Sequence, residues 1–186
     1  MVEMLIKVNP FIRLGLIASI IYILSCETKG TVSKVLRYIS LLFPLVCLPF
    51  RFTSYSLCFC LLVTLGEVSL YSGMISTGIA MFLYGYAVLC CRYIDLPFNV
   101  IYNVVCFFMT TFVMFQKDIR IMVAAYSICV IVPLIICIMI NHSLVCTLLL
   151  MGDVLLSVNY LKKNKWVMYA SQICFYVGAC LAVRVL

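Results

Sequence analysis

Long apolar stretches separated by short polar connections dominate this sequence. Division at charges, prolines and glycines leaves eight apolar segments, each near the length of roughly 20 residues that a helix needs to cross a bilayer. They run from 8 to 26, 35 to 50, 53 to 70, 74 to 91, 97 to 115, 119 to 140, 143 to 160 and 166 to 186. The pattern predicts an all-α, polytopic membrane helical bundle of about eight transmembrane helices, forming one transmembrane domain over residues 1–186.

The connections between these segments are short enough to place consecutive helices side by side and antiparallel. The second, third and fourth segments are the hardest to separate. Arg51 is the only charge between the second and third, and the connection 71–73 carries none. A count of seven spans therefore stays open.

The composition excludes several classes of protein. Hydrophobic residues make up 67% of the 186 residues and charged residues 10%, and this is too apolar for a water-soluble domain. The aromatic residues lie inside the apolar segments and not among basic clusters, so we expect membrane lipids and no nucleic acid as partners. No zinc-like Cys/His spacing and no glycine-rich phosphate loop occur, so we expect neither a metal nor a cofactor. The oligomeric state does not follow from the sequence.

Two carboxylic acids lie inside apolar segments, Glu67 in the third and Asp153 in the seventh. The other four acids lie near the start of the chain or in connections: Glu3, Glu27, Asp95 and Asp118. An intramembrane carboxylate costs about 3 kcal/mol on insertion scales, so each of the two is a candidate functional residue. The alternative is that each acid only anchors a polar network between helices.

The surroundings of the two acids are alike. Residues 65–70 resemble residues 151–156, with a glycine before each acid that allows another helix to approach closely. A weaker match relates residues 82–85 to residues 175–178. These matches suggest a tandem four-helix repeat with halves 1–95 and 96–186, in which the third and seventh helices are parallel. A matched pair of acids favours a site over two unrelated polar networks.

Asn159 lies about one and a half helical turns after Asp153, and two further polar residues, Tyr169 and Gln172, lie on the last predicted helix. Amide and phenol groups can orient a substrate or a water molecule, so these side chains are candidate supporting residues. Hydrogen bonding between helices is the alternative, and Tyr169 also suits an anchor at the membrane surface.

These motifs resemble the YhhN-like lysoplasmalogenase family, whose members are eight-span membrane proteins. The resemblance rests on short motifs at residues 65–70, Gly78, Phe82, residues 152–156, Asn159-Tyr160 and residues 169–172. It implies a membrane-embedded hydrolase that cleaves the vinyl ether bond of a lysoplasmalogen to a fatty aldehyde and a glycerophospho-base. A lysophospholipid substrate and the endoplasmic reticulum membrane follow from the same resemblance.

The sequence departs from the family pattern at four positions. The acid of the third helix is Glu67 where the family has Asp, and Gly152 replaces a Ser before the second acid. Phe43-Pro44 stands where a Lys-Pro is usual. Tyr86 stands where a His is usual, and we take it as a further candidate supporting residue. A diverged lipid-binding or transporter-like membrane protein without catalysis is therefore the alternative function.

The predicted chemistry needs an acid and a base, and two carboxyls supply both. A vinyl ether hydrolyses when its β-carbon is protonated to an oxocarbenium ion that water then captures. In a bundle of low dielectric constant, mutual repulsion keeps one carboxyl protonated while the other stays ionised. We predict that Glu67 and Asp153 share these roles, and the sequence does not assign which is the acid.

Overall fold

A computed structural model describes residues 9–93, 96–115, 118–141 and 143–186, and these contain helices and no strand. The helices are α1 (Pro10–Glu27), α2 (Gly30–Leu41), α3 (Phe43–Val46), α4 (Ser54–Tyr71), α5 (Ile75–Tyr93), α6 (Leu96–Phe115), α7 (Ile119–Asn141), α8 (Leu144–Lys162) and α9 (Lys165–Val185), with a short 3-10 turn at Leu48–Phe50. The predicted all-α fold class is confirmed.

Local capping fixes where two of the helices begin. The Asn9 side chain accepts a hydrogen bond from the Phe11 backbone N–H at 3.0 Å, and Pro10 occupies the first turn of α1. Before α4, Thr53 and Ser56 form a reciprocal capping box. These polar caps mark the starts of apolar helices.

The second predicted segment is not one continuous helix. The structure breaks it into α2, α3 and the 3-10 turn, with a bend of 45° between Gly30–Leu41 and Phe43–Phe50. Pro44 explains the break, because its ring clashes with the preceding turn and it has no backbone N–H to donate. The expected single helix over residues 35–50 is therefore corrected to a bent pair.

Five described helices are long and apolar enough to cross a membrane: Pro10–Glu27, Ser54–Tyr71, Ile75–Tyr93, Arg120–Asn141 and Lys165–Val185. The bent pair Gly30–Leu41 with Phe43–Phe50 makes a sixth if it counts as one span. Two shorter apolar helices, Val100–Val113 and Leu144–Asn159, occupy the positions of the remaining predicted spans. The chain is thus an integral membrane protein with five or six such helices in its described part, and the count of eight stays a prediction.

The packing divides the chain into two compact units. The first unit contains the described residues up to Phe52 together with Leu144–Val185, and the second contains Thr53–Ser143. In the first unit α9 packs against α8 and α1, and α1 packs against α2. In the second unit α5 packs against α4, α6 and α7. Each unit takes helices from both of the predicted halves, 1–95 and 96–186, and the tandem repeat stays a prediction.

Candidate intramembrane site

Glu67 lies on α4 beside a close contact between α4 and α5. A Cβ atom placed on Gly66 would lie 3.0 Å from Phe82 Cδ2 and 3.3 Å from the Gly78 carbonyl oxygen. On the facing helix, a Cβ placed on Gly78 would lie 2.6 Å from Leu70 Cγ. The Glu67 side chain is half-buried next to this contact. Only glycine allows the two helices to come this close.

Asp153 lies on α8 beside an equivalent contact with α9. A Cβ atom placed on Gly152 would lie 3.2 Å from the Phe175 backbone nitrogen and 3.3 Å from the Ser171 carbonyl oxygen. The Ser171 hydroxyl donates a hydrogen bond of 2.8 Å to the Gly152 carbonyl. Asp153 is half-buried. The prediction that a glycine before each acid permits close helix approach is confirmed at both positions.

The two helix pairs also share a second contact. In each pair, the residue three positions before the glycine that precedes the acid is aliphatic. It packs on a second glycine, which lies on the other helix three positions after Phe82 or Phe175. The contacts are Val63 Cγ2 with Gly85 at 3.3 Å and Leu149 Cγ with Gly178 at 3.0 Å, measured to a Cβ placed on the glycine. The α4–α5 and α8–α9 pairs are thus packed through the same pattern of residues, with one acid at the same position of each.

A polar contact joins the start of α9 to the end of α1. The Tyr169 hydroxyl donates a hydrogen bond to Glu27 Oε1. Lys165 Nζ lies 3.6 Å from the same oxygen, and both side chains of this ion pair are more than half exposed. The sequence suggested only a connection residue at Glu27, because nothing local indicates a partner 142 positions further along the chain.

We expect the Glu27–Tyr169 hydrogen bond to couple α1 to α9. In a double-mutant cycle of Glu27→Gln and Tyr169→Phe, the losses in melting temperature should be clearly non-additive, because Glu27→Gln weakens and Tyr169→Phe removes the same charge-assisted bond. The matched cycle of Glu27→Gln with Lys165→Met should be closer to additive, since an exposed ion pair contributes little. Thermal unfolding in detergent checks both cycles, and equal coupling in the two would contradict this interpretation.

Gln172 places a buried hydrogen-bond acceptor on the face of α9 that carries Tyr169. The side chain is 6% exposed, and its Oε1 atom has no hydrogen-bond partner among the described residues. Tyr169 and Tyr176 lie on the same face, about one turn before and one turn after it. The Tyr176 ring lies 5.9 Å from the Tyr22 ring of α1, and its hydroxyl donates to Ser40 Oγ of α2 at 3.4 Å. Gln172 therefore sits on the face of α9 that meets α1 and α2.

Arg37 of α2 lies against the end of α1. Its guanidinium carbon is 3.8 Å from the centre of the Tyr22 ring, and its Nη1 donates to Cys26 Sγ at 3.6 Å. Tyr22 also contacts Tyr176, so Arg37 joins the same group of side chains. We call Glu27, Arg37, Lys165, Tyr169 and Gln172 the first-unit polar cluster.

The remaining predicted site residues are divided between the two units. Asn159 is half-buried towards the end of α8 and belongs to the first unit with Asp153. Tyr86 is 3% exposed in α5, and its ring lies 6.5 Å from that of Phe82. Glu67 and Tyr86 belong to the second unit. The sequence did not identify Arg37 or Glu27 as members of a site.

Within the described ranges, no group of three or more His, Cys, Asp or Glu side chains is placed to hold a metal ion. His142, the one histidine of the sequence, lies outside those ranges. Comparison of the chain with protein-family models, curated proteins and solved structures gives no match.

Proposed function

We propose that the chain is a membrane-embedded hydrolase that cleaves the vinyl ether bond of lysoplasmalogens. One observation carries the proposal: Glu67 and Asp153 follow glycines at the same position of two helix pairs that share a packing pattern of two glycines, a phenylalanine and an aliphatic residue. Equivalent placement favours related roles for the two acids over two unrelated polar networks. The resemblance of the surrounding motifs to lysoplasmalogenases gives the substrate.

The proposed reaction uses two of the six carboxylic side chains, Glu67 and Asp153. A protonated carboxyl transfers its proton to the β-carbon of the vinyl ether, and the ionised carboxylate stabilises the oxocarbenium ion that forms. Water adds to the α-carbon and gives a proton to the ionised carboxylate, which yields a hemiacetal. The carbon–oxygen bond then breaks as this carboxyl returns its proton to the glycerol oxygen, and the hemiacetal hydroxyl gives its proton to the carboxyl that acted as the acid. The products are a fatty aldehyde and the glycerophospho-base, and both carboxyls are restored.

A lipid-binding protein without catalysis is the second candidate. The first-unit polar cluster favours it, because the cluster brings charged and hydrogen-bonding groups together without either intramembrane acid. Both candidates place the chain among membrane lipids, and we propose the endoplasmic reticulum as its membrane. Release of aldehyde separates the two functions.

The test uses the full chain, purified in detergent and supplied with a 1-alkenyl lysophosphoethanolamine. The matched control lipid carries a saturated 1-alkyl chain, which has the same headgroup and no vinyl ether. We expect fatty aldehyde from the alkenyl lipid only. Absence of aldehyde from a folded preparation that binds both lipids would favour the second candidate.

A further inference from the structure

The first-unit polar cluster is suited to an anionic ligand. It contains two cations, Arg37 and Lys165, and one carboxylate, Glu27, and so carries one net positive charge. Arg37 is held over the Tyr22 ring at 3.8 Å, which restricts the guanidinium to one side of the α1 end. A guanidinium presents paired N–H donors that match the oxygens of a phosphate group. Arg37 is thus a fixed donor suited to a phosphate.

Gln172 adds an acceptor that no described residue satisfies. A buried carbonyl oxygen without a partner destabilises the fold, and an unsatisfied group of this kind calls for an explanation such as a ligand. Side chains on a helix lean towards its N-terminus, which directs the Gln172 amide towards Tyr169. A hydroxyl group of a ligand supplies the missing donor.

We propose that the first-unit polar cluster binds the glycerophosphate headgroup of a lysophospholipid. Arg37 binds the phosphate, and the Gln172 carbonyl accepts a hydrogen bond from the free glycerol hydroxyl. Because that carbonyl is buried in the structure, neighbouring side chains must shift when the headgroup enters. This inference rests on the proposed function, because the lipid bound by the cluster is taken to be the substrate of the proposed hydrolase.

The intrinsic fluorescence of Trp166 can report this binding. It is the one tryptophan of the sequence, and its ring lies 5.9 Å from that of Tyr169. The experiment titrates a saturated 1-alkyl lysophosphoethanolamine into the full chain in detergent, and follows Trp166 fluorescence and melting temperature. The saturated lipid has no vinyl ether, so binding is measured apart from hydrolysis.

The variants separate a ligand-binding role from a structural one. We expect Arg37→Gln to weaken lipid binding by about 10- to 100-fold, as for loss of a charged hydrogen-bonding pair. Gln172→Leu should weaken binding by about 10-fold and yet raise the melting temperature, because it removes an unsatisfied buried oxygen. Lys34→Gln is the matched control, since Lys34 is an exposed cation on the same helix as Arg37. Its affinity should stay within about twofold of wild type.

Competing ligands distinguish a lipid headgroup from free phosphate. Glycerophosphoethanolamine should compete with the lipid at high concentration, whereas inorganic phosphate should compete far more weakly. Unchanged affinity in Arg37→Gln, equal loss in Lys34→Gln, equal competition by inorganic phosphate, or no response of the wild type in either readout would overturn the proposal. Binding as expected without any aldehyde release would support the headgroup site and refute the proposed hydrolase.

Discussion

Replacement of Asp153 by Asn is expected to lower aldehyde release by about 10²- to 10⁴-fold, the contribution that a general acid or base makes. Asparagine keeps the size and polarity of the side chain, so the α8–α9 contact beside Gly152 should persist. Glu67→Gln should have an effect of the same order. Because the two carboxyls act in one reaction, the double variant should be little worse than either single variant.

Asp118→Asn is the matched control for these two variants. Asp118 lies before α7, and its Oδ1 accepts a hydrogen bond of 2.8 Å from the Arg120 backbone N–H. Asparagine caps helices as well as aspartate does, so aldehyde release should stay near the wild-type rate. The assay follows initial rates at equal amounts of folded protein. Full activity in Asp153→Asn would refute the two-carboxyl mechanism.

Replacement of Gly15 by Ala is expected to destabilise the first unit strongly. A Cβ atom at this position would lie 2.6 Å from the Val177 Cα atom and 2.9 Å from the Tyr176 carbonyl oxygen. Both are backbone atoms and cannot rotate away, so α1 and α9 must separate. Overpacking of this kind costs about 1–3 kcal/mol or more. The melting temperature in detergent should fall by roughly 5–10 °C.

Two further substitutions serve as comparisons for Gly15→Ala. Gly85→Ala meets the Val63 Cγ2 methyl at 3.3 Å, and a side-chain methyl can shift, so the loss should be smaller. Ile17→Ala changes an exposed side chain, 46% accessible on α1, and should alter stability by about 0.5 kcal/mol or less. A melting temperature of Gly15→Ala equal to that of Ile17→Ala would contradict the close α1–α9 contact.

The helices were predictable because long apolar segments leave the backbone no other way to satisfy its hydrogen bonds. Local signals also identified the glycines beside Glu67 and Asp153, and the structure confirms their packing role. Pro44 was visible in the sequence, but the prediction of one helix over residues 35–50 did not take account of the backbone hydrogen bond that this proline removes. The structure therefore has a break there.

The sequence predicted only two of the five residues of the first-unit polar cluster. Tyr169 and Gln172 were identified as supporting residues, because both are polar residues in an apolar helix. Two other members of the cluster were not, since Glu27 and Arg37 lie near the first connection and resemble ordinary charges of a membrane surface. Contacts between residues more than 100 positions apart depend on which helices pack together, and no local pattern in one sequence specifies that.

Hydrolysis of the alkenyl lipid in deuterated water tests the central claim most directly. Protonation of the β-carbon by an enzyme carboxyl places one solvent deuteron on the carbon next to the aldehyde group. Mass spectrometry of promptly trapped product should therefore find an aldehyde of unchanged chain length with one deuterium, formed by the wild type and lost in Glu67→Gln and Asp153→Asn. An unlabelled or shortened aldehyde, or equal release by the variants, would contradict acid-catalysed hydrolysis by the two intramembrane carboxyls.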